Sequence, residues 1–195
     1  SPMNKSESKY FATAARMDEA FLELIEKKDF AYITVKEICE KAGVNRSTFY
    51  LHYETVGDLL EESVRHIIDR FVEFMPYDTA DFLKKLNECP LEELYLITRE
   101  YLTPYLTYIK EHRRIFRTSV EQAAALRMYD AYTDLNRYIL TPILNRYKVP
   151  AEDQNYILQF HIHGIMAVIN EWLKTDCADS IEHVISVIQT CVKRI

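Results

Sequence analysis

Between Asn45 and His52 the chain crowds Arg46, Ser47, Thr48, Tyr50 and Leu51 into one short run. Together these types suit contact with nucleic acid. An arginine can take guanine bidentately, serine and threonine hydroxyls can bond several base edges, and leucine can touch a thymine methyl. Tyr50, His52 and Lys36 suit phosphate oxygens, as does a helix start at Thr34. On a wheel of about 100° per residue, Phe49 and Tyr53 point one way, toward Val35, Ile38 and Val44. Ser47 and Leu51 point away, with Thr48 and Tyr50 on the shoulders, Arg46 in the exposed first turn and His52 at the flank. The candidate DNA-contacting set is therefore Thr34, Lys36, Asn45, Arg46, Ser47, Thr48, Tyr50, Leu51 and His52.

Other chemistries find less footing. There is no G-x-S-x-G, no Walker loop and no nucleophile with a recognisable base. The chain is expected not to be an enzyme and to need no cofactor. His161 and His163 are two apart on a helix and face nearly opposite ways, whereas helical metal pairs need three or four residues of separation, so no metal site is expected. The acidic pairs Glu61-Glu62 and Glu92-Glu93 read as wet helix faces. His112 with Arg113 and Arg114 reads as a solvated helix end, where cations favour the dipole. The 14 tyrosines are many, and Tyr101, Tyr105 and Tyr108 cluster at helical spacing around Pro104. With Tyr129 and Tyr132 they form a candidate ligand site, since aromatic walls with a few hydroxyls suit an amphipathic molecule. A tyrosine-rich core with hydroxyls reaching the surface is the alternative.

The elements that would position these residues are helices. Tight turns use glycine, and only three glycines occur in 195 residues, so an all-α fold is expected. A first helix covers Ser8 to Lys28, with Ala14, Met17, Phe21, Leu24 and Ile25 as its stripe. Thr34 and Glu37 match a capping box opening the second. Gly43 ends it, because the residue past a helix often needs positive φ. Asn45 caps a short helix, Arg46 to Tyr53, and the pair makes a helix-turn-helix shape. Thr55 and Asp58 cap a fourth, which fades near Met75-Pro76. Beyond it come a short helix near Ala80 to Asn87, one from Leu91 to Glu111 with a kink or break at Pro104, one from Glu121 to Tyr147 bent or interrupted at Pro142, then Glu152 to Lys174 and Ser180 to Ile195. The divisions are a three-helix DNA-binding domain over 5–54, a connecting fourth helix over 55–76, and a C-terminal regulatory and dimerisation domain over 77–195.

Charge is a weak guide. The formal net charge is −6, which argues against indiscriminate nucleic-acid binding. From Ile33 to Tyr53, three basic residues stand against two acidic ones, so the case for DNA rests on geometry. The four cysteines are far apart and read as reduced thiols. No stretch approaches the ~20 apolar residues of a membrane span, and the opening residues lack a signal-peptide core. A cytoplasmic protein is expected.

The stretch "ITVKEICEKAGVNRSTFYLHYETVGDLL", Ile33 to Leu60, resembles the DNA-binding domain of the tetracycline-repressor (TetR) family of bacterial transcriptional regulators. The shared features are Ile33-Thr34, the turn Ala42-Gly43-Val44, Ser47-Thr48, the aromatics Phe49, Tyr50 and Tyr53, and Leu59-Leu60. With the first helix the match covers about Tyr10 to Val72. The resemblance implies an all-helical homodimer on a near-palindromic double-stranded operator, and usually repression relieved by a small effector. One departure is Val56, where the family often carries a phosphate-binding lysine; Lys5 and Lys9 are candidate compensation. "HIHGIMAVINEWL", with Gly164, Ile169, Trp172 and Leu173, is similar to the C-terminal region of a subgroup that includes dihydroxyacetone-kinase activator-type regulators. The family's pairing of the last two long helices places a dimer interface at Gly164, Ile165, Val168, Trp172, Val184 and Ile188; an intrachain core is the alternative there. The opposing functional reading is a helical protein-interaction regulator that keeps the fold without selective DNA binding.

Overall fold

The computed structural model describes residues 4–74, 79–90, 99–122 and 125–192. Ten α-helices and one short 3-10 turn are found among them, with no strand. The helices are α1 (Lys5–Ile25), α2 (Val35–Ala42), α3 (Arg46–His52), α4 (Val56–Phe74), α5 (Thr79–Glu88), α6 (Arg99–Glu111), α7 (Arg113–Glu121), α8 (Ala125–Arg146), α9 (Ala151–Lys174) and α10 (Ile181–Val192). The boundary expected at Pro76, and Leu91 to Thr98 of the expected sixth helix, lie outside the described residues.

Local chemistry sets the helix starts in the N-terminal part. Asn4 and Glu7 close a capping box on α1, three residues ahead of the expected start. Thr34 and Glu37 do the same on α2. Thr55 and Asp58 exchange bonds at the head of α4, with the Thr55 amide donating to Asp58 Oδ2 at 3.0 Å and the Asp58 amide to Thr55 Oγ1 at 3.2 Å. Each box satisfies donors that a helix start leaves orphaned. α2 ends at Gly43, whose φ of 69° and ψ of 38° are left-handed.

α1 packs on α2 and α4, and α2 on α3, giving a head whose core is Met17, Phe21, Ile38, Phe49, Leu59 and Leu60. α4 then runs into the rest of the molecule, packing on α6, α7 and α8. α7, α8 and α10 pack on α9, and α10 also on α6. The apolar cluster is continuous from Met17 to Ile188.

Several expectations are corrected. The chain between Glu111 and Gln122 forms a separate helix, α7, after a break at His112 (φ −111°, ψ 25°). His112, Arg113 and Arg114 are therefore not a solvated end. The His112 ring lies 4.3 Å from that of Tyr108, Arg113 Nε is 3.3 Å from Asp176 Oδ1 in the turn after α9, and Arg114 Nε is 3.9 Å from Glu26 Oε2. Of the kink or break expected at Pro104 and the bend or interruption expected at Pro142, the break is absent at both, since α6 and α8 run through these prolines. A proline inside a helix removes one intrahelical bond, and here the tertiary packing of both helices outweighs that loss.

Candidate nucleic-acid interface

The Gly43 turn sets α3 across α2 so that Phe49 is fully buried and Tyr53 nearly so, against Ile38 with Val35 and Val44 alongside. The opposite side of α3 is open. Tyr50 is 57% exposed and Leu51 77%. Arg46 and Ser47 are exposed, while Thr48 and His52 are half-buried. Thr34 and Lys36 lie exposed at the start of α2, and Asn45 is the exposed cap of α3. The nine residues expected together thus occupy neighbouring positions on α2, the turn and α3. Val56 is half-buried against the core.

The charges explain why composition gave so little signal here. Lys28 Nζ sits 2.6 Å from Glu37 Oε1, and Lys41 Nζ 2.8 Å from Glu23 Oε2. Those contacts hold both carboxyls below the usual glutamate range, the bond from Lys28 being the largest cause at Glu37 and that from Lys41 at Glu23. Lys36 lies 3.9 Å from Glu40, a loose exposed pair. Arg46 has no ion-pair partner among the described residues. Arg46 thus stays uncommitted on the exposed side of α3.

Two supporting groups were not legible from the run itself. Tyr10 of α1 stacks on His52, ring centroids 4.0 Å apart and planes 21° apart. Burial holds the His52 imidazole below its ordinary value, partly opposed by Glu62, so it meets neutral solution uncharged, as a hydrogen-bonding ring. Glu62 also bonds the Tyr53 hydroxyl, whose ionisation is pushed far up by burial first and that bond second. Glu62 is therefore not a wet face but part of a polar seam. In the same seam Ser63 donates to the buried Asp18 of α1, and His66 lies 3.7 Å from Asp18 and 3.8 Å from Glu62. The seam fastens α1 to α4 behind the exposed surface. Asp18 is an acid inside an otherwise apolar stripe, and that oddity was its only sequence signal.

In the C-terminal part the expected ligand tyrosines divide. The Tyr108 hydroxyl donates to the Ile67 carbonyl of α4 at 2.6 Å, a structural bond. The Tyr105 ring lies 5.3 Å from that of Phe71 on α4, and burial pushes its hydroxyl far up. Tyr101 is buried, with Lys85 Nζ 5.6 Å from its ring centroid. The side chains of Tyr129 and Tyr132 lie outside the described residues. His161 is half-buried, with burial lowering its pKa, and the exposed His163 faces Gln159 at 3.1 Å.

The expected interface residues also divide. Trp172, Val184 and Ile188 are buried in the chain's own core, so their side chains have no area left for a second subunit. Trp172 Nε1 donates to the Asp179 carbonyl at 3.0 Å. Ile165 and Val168 are half-buried and Gly164 is exposed. The open apolar side of α9 is turned away from Trp172. It carries Tyr156 at 79% exposure and Phe160 at 62%, continuing through Gly164 to Ala167. No described helix is long and apolar enough to cross a membrane.

Two family models match the chain. Residues 19–62 match bacterial regulatory proteins of the tetR family, and residues 98–194 match a transcriptional regulator C-terminal region. The uncharacterized HTH-type transcriptional regulator YxbF of Bacillus subtilis (strain 168) is 27% identical over 174 residues, 86% of this chain and 41% of that protein. The chain thus spans about two fifths of that relative's length. Among solved structures, the dihydroxyacetone kinase operon activator DhaS aligns with a TM-score of 0.57 at 16% identity, covering 93% of this chain and 94% of that one. A TetR transcriptional regulator from Rhodococcus sp. RHA1 aligns at 0.59 and 22% identity, with the same coverage of each chain. At these identities the likeness is one of fold.

Proposed function

The chain belongs to the TetR family of bacterial transcriptional regulators, and from that premise we propose that it binds a near-palindromic double-stranded operator as a homodimer and represses transcription there. The observation that carries this is the division of α3 into a buried aromatic side, Phe49 and Tyr53, and an open side with Arg46, Ser47, Tyr50 and Leu51. A helix so divided can enter a major groove while its head stays folded. Phosphates would be met by Tyr50, His52, Lys36 and the start of α2, and base edges by Arg46 and Ser47. The protein would act in the cytoplasm, where its DNA is.

The second subunit would pack against the open side of α9. Tyr156 and Phe160 supply exposed aromatic area there. Gly164 lies mid-helix with nothing within 4 Å of where a Cβ would sit, a weak helix former that no contact inside the chain requires. A small amphipathic effector would act near Tyr105, because that ring and Tyr108 both touch α4, the helix leading to the reading head. It would shift the spacing of the two heads by favouring one of two arrangements.

The test is selection of operators from a random duplex library at low salt. Arg46→Ala should change base preference, whereas Tyr50→Ala should weaken all selected sites alike. An unchanged preference in Arg46→Ala refutes base reading by that side chain. No sequence enrichment by the unaltered protein would favour a protein-interaction role instead, in keeping with the loss of the lysine at Val56.

A further inference from the structure

We infer that Asn45 sets the hydrogen-bond polarity of the reading surface: it holds the Ser47 hydroxyl proton, so that Ser47 meets DNA as an acceptor and selects a base with an exposed amino group, adenine or cytosine. This rests on the DNA-binding proposal above. The Thr48 amide lies 2.8 Å from Asn45 Oδ1. A backbone N–H can only donate, so the carboxamide atom turned toward α3 must be its oxygen. Ser47 Oγ lies 2.7 Å from the same atom and Thr48 Oγ1 2.8 Å. A carbonyl oxygen has no proton, so a hydroxyl bonded to it must be the donor. Each hydroxyl has one proton. Once that proton lies on Asn45, lone pairs are all that Ser47 can turn outward.

Three donors converge on one oxygen, and of the two hydroxyls Ser47 is the exposed one with the shorter contact. An amide oxygen carries two lone pairs; the Thr48 amide engages one, and Ser47, at 2.7 Å against 2.8 Å for the Thr48 hydroxyl, competes best for the other. In the major groove adenine N6 and cytosine N4 donate, whereas guanine O6 and N7 and thymine O4 accept. A serine oxygen limited to accepting pairs with the first two and sets lone pair against lone pair with the others. Serine in isolation rotates to suit either kind of edge. The selectivity therefore belongs to Asn45, a residue that need touch no base.

The test is the same operator selection, run with the full chain and three variants. Ser47→Ala identifies the base position that Ser47 reads, as the one whose preference flattens. At that position the unaltered protein should favour adenine or cytosine by about fivefold, the scale of one modest base contact. Asn45→Asp keeps an accepting oxygen and should keep the preference, with weaker overall binding because a carboxylate approaches phosphates. Asn45→Ser still caps α3 but offers a hydroxyl that can itself donate to Ser47. It should cut the preference to roughly twofold or less while other positions keep theirs and the circular dichroism stays unchanged. Guanine or thymine favoured at that position overturns the inference, as does an undiminished preference in Asn45→Ser or a Ser47→Ala profile identical to the parent. In each of those cases selective DNA binding itself stands. Enrichment of no sequence by the unaltered protein overturns both.

Discussion

Gly43→Ala tests the turn on which the reading surface depends. Gly43 sits at φ 69°, and a Cβ built there meets no atom within 4 Å. Steric conflict with neighbours therefore contributes nothing, and the whole effect is backbone. A residue with a Cβ loses about 1–2 kcal/mol in the left-handed region. The unfolded chain, made less flexible by alanine, returns about 0.4–1 kcal/mol. The net expectation is destabilisation of about 1 kcal/mol, which for a chain of this length lowers Tm by about 2–4 °C. Urea unfolding followed by far-UV circular dichroism measures it. Trp172, the one tryptophan in the sequence, is buried beside the turn after α9, so its fluorescence gives an independent probe far from the substitution. Gly43→Asn should cost less, because asparagine visits this region more readily. A Gly43→Ala protein as stable as the parent would refute the claim that the turn requires positive φ. A loss above about 3 kcal/mol would reveal a clash that the open space around Gly43 denies.

Gly164→Ala should act with the opposite sign within one subunit, gaining about 0.5–1 kcal/mol from helix propensity in α9, while weakening a dimer that needs close approach there; sedimentation across a dilution series, alongside thermal melts at low concentration, separates the two effects. Operator affinity should rise as pH falls below about 6.5, the ordinary histidine value, because a phosphate favours charged His52 although burial against Tyr10 lowers its pKa in the free protein. The stability that neutral His52 contributes is full above the unfolded value and is lost as pH falls through the lower folded one. His52→Gln should flatten the affinity profile, read by fluorescence anisotropy of a labelled operator between pH 5.5 and 8.

The exposed side of α3 and the turn that sets it were legible because their signals are local. Three capping boxes lie within four residues each, and one of them, Asn4 with Glu7, went unread although it has the same pattern. Gly43 and the 3.6-residue alternation of Phe49 and Tyr53 against Ser47 and Leu51 are equally local. The Asp18–Ser63 bond joins residues 45 apart, and no periodicity encodes such a pair. α7 was missed because the basic run His112-Arg113-Arg114 reads as the end of the helix before it, and the buried positions of α7, Ile115, Phe116 and Ser119, are too few to show a stripe. The open side of α9 could not be told from the buried one because large apolar residues lie on both. Trp172 and Ile169 look as interface-prone as Tyr156 and Phe160, and packing by α7, α8 and α10 decides which stay open.

The polar seam behind the head has a mechanical consequence. Asp18 receives the Ser63 hydroxyl where α1 crosses α4, and the Glu62 bond ties the end of α3 to the same helix. A hinge at that crossing would have to strip a buried carboxylate of its donor, which is costly away from water. In the proposed dimer, torque arriving along α4 from the far half would therefore turn the head as a stiff crank, and the compliance for any change in head separation would lie farther down the shaft.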